Sequence, residues 1–300
     1  MKRVGILHED LEWGEKRLKA LLEKKHVLVC LFDVRKLSFP LEKRLLDCTL
    51  VLNRVYPSVA NRDYENVKKA IKVVSALEAA GVRVVNSSLA SKADYSKYWA
   101  CEFLGKKGIL VPKTFVVKPK TKLGPVLARI GFPAVIKRDC VGRAFDLAIV
   151  FNLAQAKKEV ERRLNDPAYS GNTIAQEFIR SVNDYDIKVC IAGGETLVST
   201  YKRTLVSHSG GKRKWAGIIS RGSKIVPFDE VPEKLLDTAL RASKALEADI
   251  NDMDVVEGKK GFYVIENNLT PGFNSKNEET KVYKKPEKIA DYVYKKYLGG

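Results

Sequence analysis

Through residues 1–88 the chain alternates short apolar runs with amphipathic stretches, and that alternation leaves few folds open. Residues 3–7 read as a buried strand, and the leucines at 11, 18, 21 and 22 that follow share helical spacing. Residues 26–32 and 49–55 read as two further strands, 64–80 as a helix stopped by Gly81, and 82–85 as a fourth strand. Parallel strands need a crossover between them, and the crossover helices cover both faces of the sheet. Strands of this apolar kind separated by helices therefore predict a parallel α/β layer.

The order changes beyond residue 88. A helix is expected over 95–106, stopped by Gly108, then strands at 114–117, 134–137 and 147–151, with helices at 123–130 and 154–164. Strands follow at 187–192 and 196–202, and 207–214 (SHSGGKRK) reads as a mobile loop. Pro232 opens a helix with Leu236, Ala239, Leu240 and Leu246 on one face; strands at 253–256 and 262–266 and a last helix at 286–297 complete the chain. This mixed order predicts α+β lobes, and the expected division is 1–88, 89–178 and 179–300.

Composition narrows the function classes. No apolar run is long enough to span a bilayer and the N-terminus lacks a signal-peptide core, so the working address is the cytoplasm. The five cysteines (30, 48, 101, 140, 190) form no CxxC pair, and with three histidines they predict reduced, buried thiols, not a zinc cage. A net charge of +18, from 54 Lys and Arg against 36 Asp and Glu, favours an anionic partner. The charge is spread over helix faces, which leaves room for one basic cleft. RNA is disfavoured because the aromatic-basic motif of a common RNA-binding sheet is missing.

The chemistry concentrates in residues 253–273, MDVVEGKKGFYVIENNLTPGF. This segment predicts a hairpin turning between Gly258 and Gly261. Glu266 and Asn268 are two apart and share a face of the strand, with Asp254 on the partner strand. Oxygen ligands of this kind suit magnesium, which also takes phosphate oxygens and water. Lys137 ends the apolar run FPAVIK, and Lys97 lies near a helix start; each could snorkel to solvent or hold a phosphate as a point charge. Gly142 lies in the segment after Lys137, where a loop could cover phosphates. In TIAQEFI, 173–179, an apolar strand is interrupted by Gln176 and Glu177, whose backbone could bond an adenine edge.

Taken in chain order, these segments resemble the RimK-type ATP-grasp family, which includes α-L-glutamate ligases and related ligases of lysine biosynthesis. The matches run from Asn53 and Arg54 to Pro271, through VVNSS, SKYWACEFLGKKGILVP, FPAVIK, IAQEFI, DIKV with GGETLV, and IENN before LTPG. The resemblance implies an ATP-grasp fold with an N-terminal parallel-sheet domain. It implies an ADP-forming carbon–nitrogen ligase using ATP and two magnesium ions, with manganese as the alternative metal. Lys97 and Lys137 would hold ATP phosphates, Gln176, Glu177, Phe178 and Ile179 the adenine, and Asp186 and Lys188 the ribose and phosphates. Arg203 would face the reacting phosphoryl group, with Lys188 beside it, and Asp254, Glu266 and Asn268 would carry the metals. The expected partners are an amino acid and a small-molecule or acidic protein acceptor; a homo-oligomer is compatible. Two departures stand out: the phosphate lid keeps Gly142 but has Ala144 and Asp146 where glycine is expected, and WAGIISRGS has Arg221 without the family's neighbouring Asn. The thinned lid leaves a non-catalytic nucleotide-binding module as a second class, and the charge leaves an RNA-binding protein as a third.

Overall fold

The structure, a computed structural model, describes residues 2–57, 64–140, 146–167, 171–193, 196–207, 214–216, 222–228, 230–272 and 282–299. Strands β1 (Arg3–His8), β2 (Leu28–Asp33), β3 (Leu50–Asn53) and β4 (Val84–Val85) pair in the order β2-β1-β3-β4, all parallel. Helix α1 (Trp13–Glu23), the short α2 (Lys43–Leu46) and α3 (Tyr64–Ala79) supply the crossovers. The start of α1 is set by Glu12, whose backbone N–H donates to the Glu15 carboxylate at 3.1 Å. Leu11 therefore lies upstream of the helix and is exposed, contrary to the spacing, while Leu18 and Leu22 pack inward. Helix α3 ends as expected: Gly81 adopts φ +78°, a conformation that favours glycine.

The helix expected over 95–106 is α5 (Lys97–Lys106), and a helix the sequence did not suggest precedes it. Helix α4 (Ser88–Tyr95) starts on Ser87, which accepts from the Ala90 N–H at 3.1 Å. The chain then turns extended at Ser96, whose hydroxyl accepts from the Trp99 N–H at 3.1 Å and opens α5 (Lys97–Lys106). A second sheet follows, antiparallel in the order β5-β8-β6-β7, from β5 (Thr114–Val117), β6 (Ala134–Arg138), β7 (Leu147–Val150) and β8 (Thr173–Glu177). Helices α6 (Leu123–Ile130) and α7 (Leu153–Leu164) pack on it around Leu127, Ile136 and Ala175.

A third sheet is also antiparallel, in the order β13-β10-β9-β14-β15. Its strands are β9 (Tyr185–Ala192), β10 (Thr196–Thr204), β13 (Ile225–Pro227), β14 (Ile250–Gly258) and β15 (Gly261–Asn268), with a small β11 (Val206–Ser207) and β12 (Lys214–Ala216) pair beside it. Most of the expected 207–214 loop lies outside the described residues. Helix α8 (Glu233–Ala245) buries Leu235, Ala239 and Ala242, with Leu246 just beyond it. Leu236 and Leu240 are only half-buried, so the apolar face is rotated one position from the expected one. Helix α9 (Lys285–Val293) packs against both the first and the third sheet, and Val4, Leu18, Cys190 and Ile289 share one core. Asn86 fastens the same junction: its amide donates to the Ile250 and Leu269 carbonyls at 2.7 and 3.1 Å and accepts from the Ile250 N–H at 2.8 Å. All five cysteines are buried and unbridged.

Asp146 is the centre of an ion network at the base of the segment that follows β6. Its carboxylate meets Arg163 at 2.8 Å, Arg138 at 3.0 Å and Arg162 at 2.5 Å, and Arg138 also pairs with Asp166. Where glycine was expected, the chain thus has a charged clip joining β6, β7 and α7. Asp146→Ala would leave the buried Arg163 with the Glu159 carboxylate at 2.7 Å, and losing the Asp146 bonds would cost about 1.5–3 kcal/mol. Denaturant unfolding reads this directly, and a change within about 0.5 kcal/mol would mean the clip is solvated surface.

Candidate active site

The β14–β15 hairpin forms as the sequence predicts, but its key register comes from an irregularity. From Gly258↔Gly261 to Val255↔Val264 the ladder is regular, and its continuation would set Ile265 opposite Asp254. One extra residue on β15 shifts the register, so that Asp254 faces Glu266 and Asp252 faces Asn268. A bulge of this kind re-aims side chains, here bringing two carboxylates onto one face. Each of the two remains 19% exposed.

Cations close around these carboxylates. Lys188, facing Asp254 across β9 and β14, approaches Asp254 Oδ1 to 2.7 Å. Arg203 bridges two acids, donating to Asp186 Oδ1 at 2.7 Å and to Asp254 Oδ1 at 3.0 Å. Lys97, at the first turn of α5, places its ammonium 3.3 Å from Glu266 Oε1. Neither Lys97 nor Lys137 snorkels: they are 4% and 7% exposed. Burial disfavours charge on Asp254, but Arg203 and Lys188 outweigh it and hold the carboxyl below its ordinary range. Burial also opposes charge on Lys97, yet Glu266 beside it leaves the ammonium above its usual value. At Lys137 burial wins: its pKa is lowered, with Glu266 pulling up and Lys97 pushing further down.

That shift carries a pH prediction. If Lys137 is the phosphate lysine the sequence predicts, phosphates bind its protonated form, and nucleotide affinity is full below the lowered pKa and is lost as pH rises through it. Above that point the affinity should fall by about tenfold per pH unit, while Lys137→Arg, which stays charged, should give a weaker but flat profile. Calorimetry with a non-hydrolysable ATP analogue and magnesium at rising alkaline pH checks it. Identical profiles for the two proteins would detach Lys137 from the phosphates.

At the end of β8 the expected adenine hinge meets the hairpin turn. Gln176 turns its side chain away, donating to Thr114 Oγ1 at 2.9 Å beside Cys101 of α5, and the Glu177 carboxylate accepts from the Lys113 N–H at 3.1 Å. Phe178 and Ile179 lie beyond the ladder. A Cβ on Gly258 would come within 2.9 Å of Ile179 Cγ2, so glycine is what lets the hinge approach the hairpin. Gly142, Ala144 and Arg221 lie outside the described residues. One acid went unnoticed in the sequence: Asp94 is buried, and burial raises its carboxyl to about 7, with Lys97 pulling it down and Glu266 pushing it up. ADYSK holds one of these neighbours, Lys97, but nothing in it signals the other, Glu266, which arrives on β15.

Asp254 and Glu266 offer hard, partly open oxygens on one face, with the Asn268 amide along the same strand, and this donor set fits magnesium. Among the described residues no three His, Cys, Asp or Glu side chains converge as a metal cage. Phosphate oxygens and water would complete the shell, which is magnesium's usual arrangement.

An antiparallel sheet with opposed carboxylates, next to a second sheet that carries a buried lysine, defines an ATP-grasp enzyme. A model of the RimK-like ATP-grasp domain matches residues 94–293. The chain belongs to that family and is an ATP-dependent carbon–nitrogen ligase that works with a divalent metal. It is 24% identical over 299 residues to the glutamate–LysW ligase ArgX of Sulfurisphaera tokodaii, spanning 98% of this chain and 99% of that protein. It is 28% identical over 316 residues to a probable α-L-glutamate ligase of Picosynechococcus, spanning 99% and 97%. In fold it is similar to a RimK domain ATP-grasp protein of Sphaerobacter thermophilus, with TM-score 0.71, 20% identity, and 97% and 98% of the chains covered. A D-alanine–D-alanine ligase of Bacillus anthracis gives TM-score 0.73 at 17% identity over 99% and 98%. Among the described residues no helix is long and apolar enough to cross a membrane.

Proposed function

We propose that the chain joins an amino acid, with glutamate the first choice, to a small-molecule or acidic protein acceptor through an acylphosphate. The observation that carries this reading is the pairing of Asp254 with Glu266 inside a ring of Lys97, Lys188 and Arg203. Glutamate comes from the named activities of the relatives, and the acidic acceptor from the net charge of +18. Residues 1–88 form the N-terminal unit in this scheme, 89–178 the nucleotide-covering unit and 179–300 the unit with the metal hairpin.

Lys97 and Lys137 hold the phosphates, and the chain from Gln176 to Ile179 passes the adenine. Asp186 and Lys188 line the ribose and phosphate side. Asp254, Glu266 and Asn268 would hold two magnesium ions, with manganese as a substitute; the metal, when bound, would neutralise phosphate charge and align the transferring group. On nucleotide entry Lys97 exchanges the Glu266 carboxylate for phosphate oxygen, which frees that carboxylate. Arg203, fixed between Asp186 and Asp254, points its remaining N–H groups at the transferring phosphoryl. The substrate carboxylate oxygen attacks the γ-phosphorus, and the bond to ADP breaks. The amine nitrogen then attacks the acyl carbon, inorganic phosphate departs with its oxygen, and the nitrogen gives up a proton. Burial of the surrounding lysines limits water, which would otherwise hydrolyse the acylphosphate.

The test is an ADP-release screen of amino acids crossed against candidate acceptors, with mass spectrometry of products. The expected product is heavier than its acceptor by one amino-acid residue. ADP release without a mass increase, across acceptors that include acidic proteins, would reject the ligase assignment of this site.

A further inference from the structure

Lys97 and Lys137 come from different elements, α5 and β6, and like charges in a buried site repel. Asp139, two residues beyond Lys137, ties the two elements together. It is 2% exposed. Its Oδ2 accepts from the Ser96 hydroxyl at 2.6 Å and its Oδ1 from the Tyr98 N–H at 2.8 Å. Its backbone carbonyl accepts from the Lys97 ammonium at 3.2 Å, and its own N–H donates to the Asn172 carbonyl at 2.8 Å. One residue thus grips the start of α5 on either side of Lys97 while staying anchored to the chain that leads into β8.

The physical consequence is twofold. Free N–H groups and the positive end of the dipole make a helix N-terminus attractive to anions. At α5 that place is filled by a carboxylate of the chain itself, so phosphate must be met by the Lys97 side chain. The buried Asp139 charge also lies within reach of both lysines and offsets their repulsion.

We propose that Asp139 is a positioning residue: by capping α5 and holding Lys97 through its carbonyl, it sets the two phosphate lysines at one site. This rests on Lys97 being a phosphate ligand. The experiment measures binding of a non-hydrolysable ATP analogue with magnesium by calorimetry, alongside thermal unfolding. The proteins are wild type, Asp139→Asn, Asp139→Ala, Ser96→Ala, Lys97→Ala and the doubles with Lys97→Ala. Asp139→Ala should weaken binding by about thirtyfold and Ser96→Ala by about fivefold, the size of one or two hydrogen bonds to a charged group. Asp139→Asn, which keeps an acceptor for the Tyr98 N–H, should recover part of the loss. In the Lys97→Ala background neither change should weaken binding further, because the group being positioned is gone.

A merely structural Asp139 would lower the melting temperature and leave the binding losses additive with Lys97→Ala, which overturns the proposal. If Asp139→Ala fails to fold, the Ser96→Ala and Asp139→Asn cycles decide by the same criterion. If Lys97→Ala alone binds as wild type, the phosphate role of Lys97 fails, and that result is distinct from additivity.

Discussion

Glu266→Gln should fold and yet lose about a thousandfold in turnover, near 4 kcal/mol of barrier. The amide keeps the shape of the side chain but removes the charge proposed to hold a metal against the phosphates. Glu266 is partly open to the cleft and lies 3.3 Å from Lys97, so the empty protein should lose about 1–2 kcal/mol from that contact. Part of this is offset by relief of the buried Asp94, whose carboxyl Glu266 pushes upward. The paired measurement is thermal unfolding of the empty protein and ADP release with an acceptor found by the screen. Near-normal turnover in a well-folded variant would remove the hairpin from the metal site; a variant that fails to fold would make Glu266 structural.

Arg203→Met should damage both stability and rate. The guanidinium bridges Asp186 and Asp254, and its removal leaves two largely buried carboxylates with one cation fewer. Loss of one partner from such a group costs about 3–5 kcal/mol. Loss of the donor proposed to face the transferring phosphoryl should cost at least about a hundredfold in rate. Arg203→Lys should recover part of the stability and little of the rate, since one ammonium cannot span both acids as a planar fork does. The pH dependence follows from Asp254, whose folded pKa lies below its ordinary value. Its contribution is present above the unfolded pKa and is lost as pH falls through the folded one. Arg203→Met raises the folded pKa, so the variant should unfold at a higher pH than wild type on acid titration. Coincident acid transitions would show that Arg203 does not set the charge of Asp254.

Much of the fold was legible because its signals are local. The parallel layer follows from apolar strands between helices, and the hairpin from EGKKG flanked by apolar strands. What escaped depends on contacts between distant segments. Helix α4 was not expected, and Ser96, which separates it from α5, shows its meaning as a cap only with Trp99 and Asp139 beside it. The bulge that sets Glu266 opposite Asp254 has no mark in VIENN, because a regular ladder would suit the same residues. Lys285, at the start of the last helix, is fully buried and donates to Asp252 at 3.2 and 3.3 Å. Asp146 stands where glycine was expected and is the hub of three arginines, two of which arrive on α7, 16 and 17 residues further along the chain.

The central claim is that a carboxylate is activated by phosphoryl transfer at the Asp254 and Glu266 hairpin. Oxygen-isotope transfer tests it most directly. With both oxygens of the reacting carboxylate labelled as oxygen-18, the account predicts one labelled oxygen in the released inorganic phosphate per amide formed, with ADP as the nucleotide product. Amide formation with unlabelled phosphate, or with the label in AMP, would contradict it.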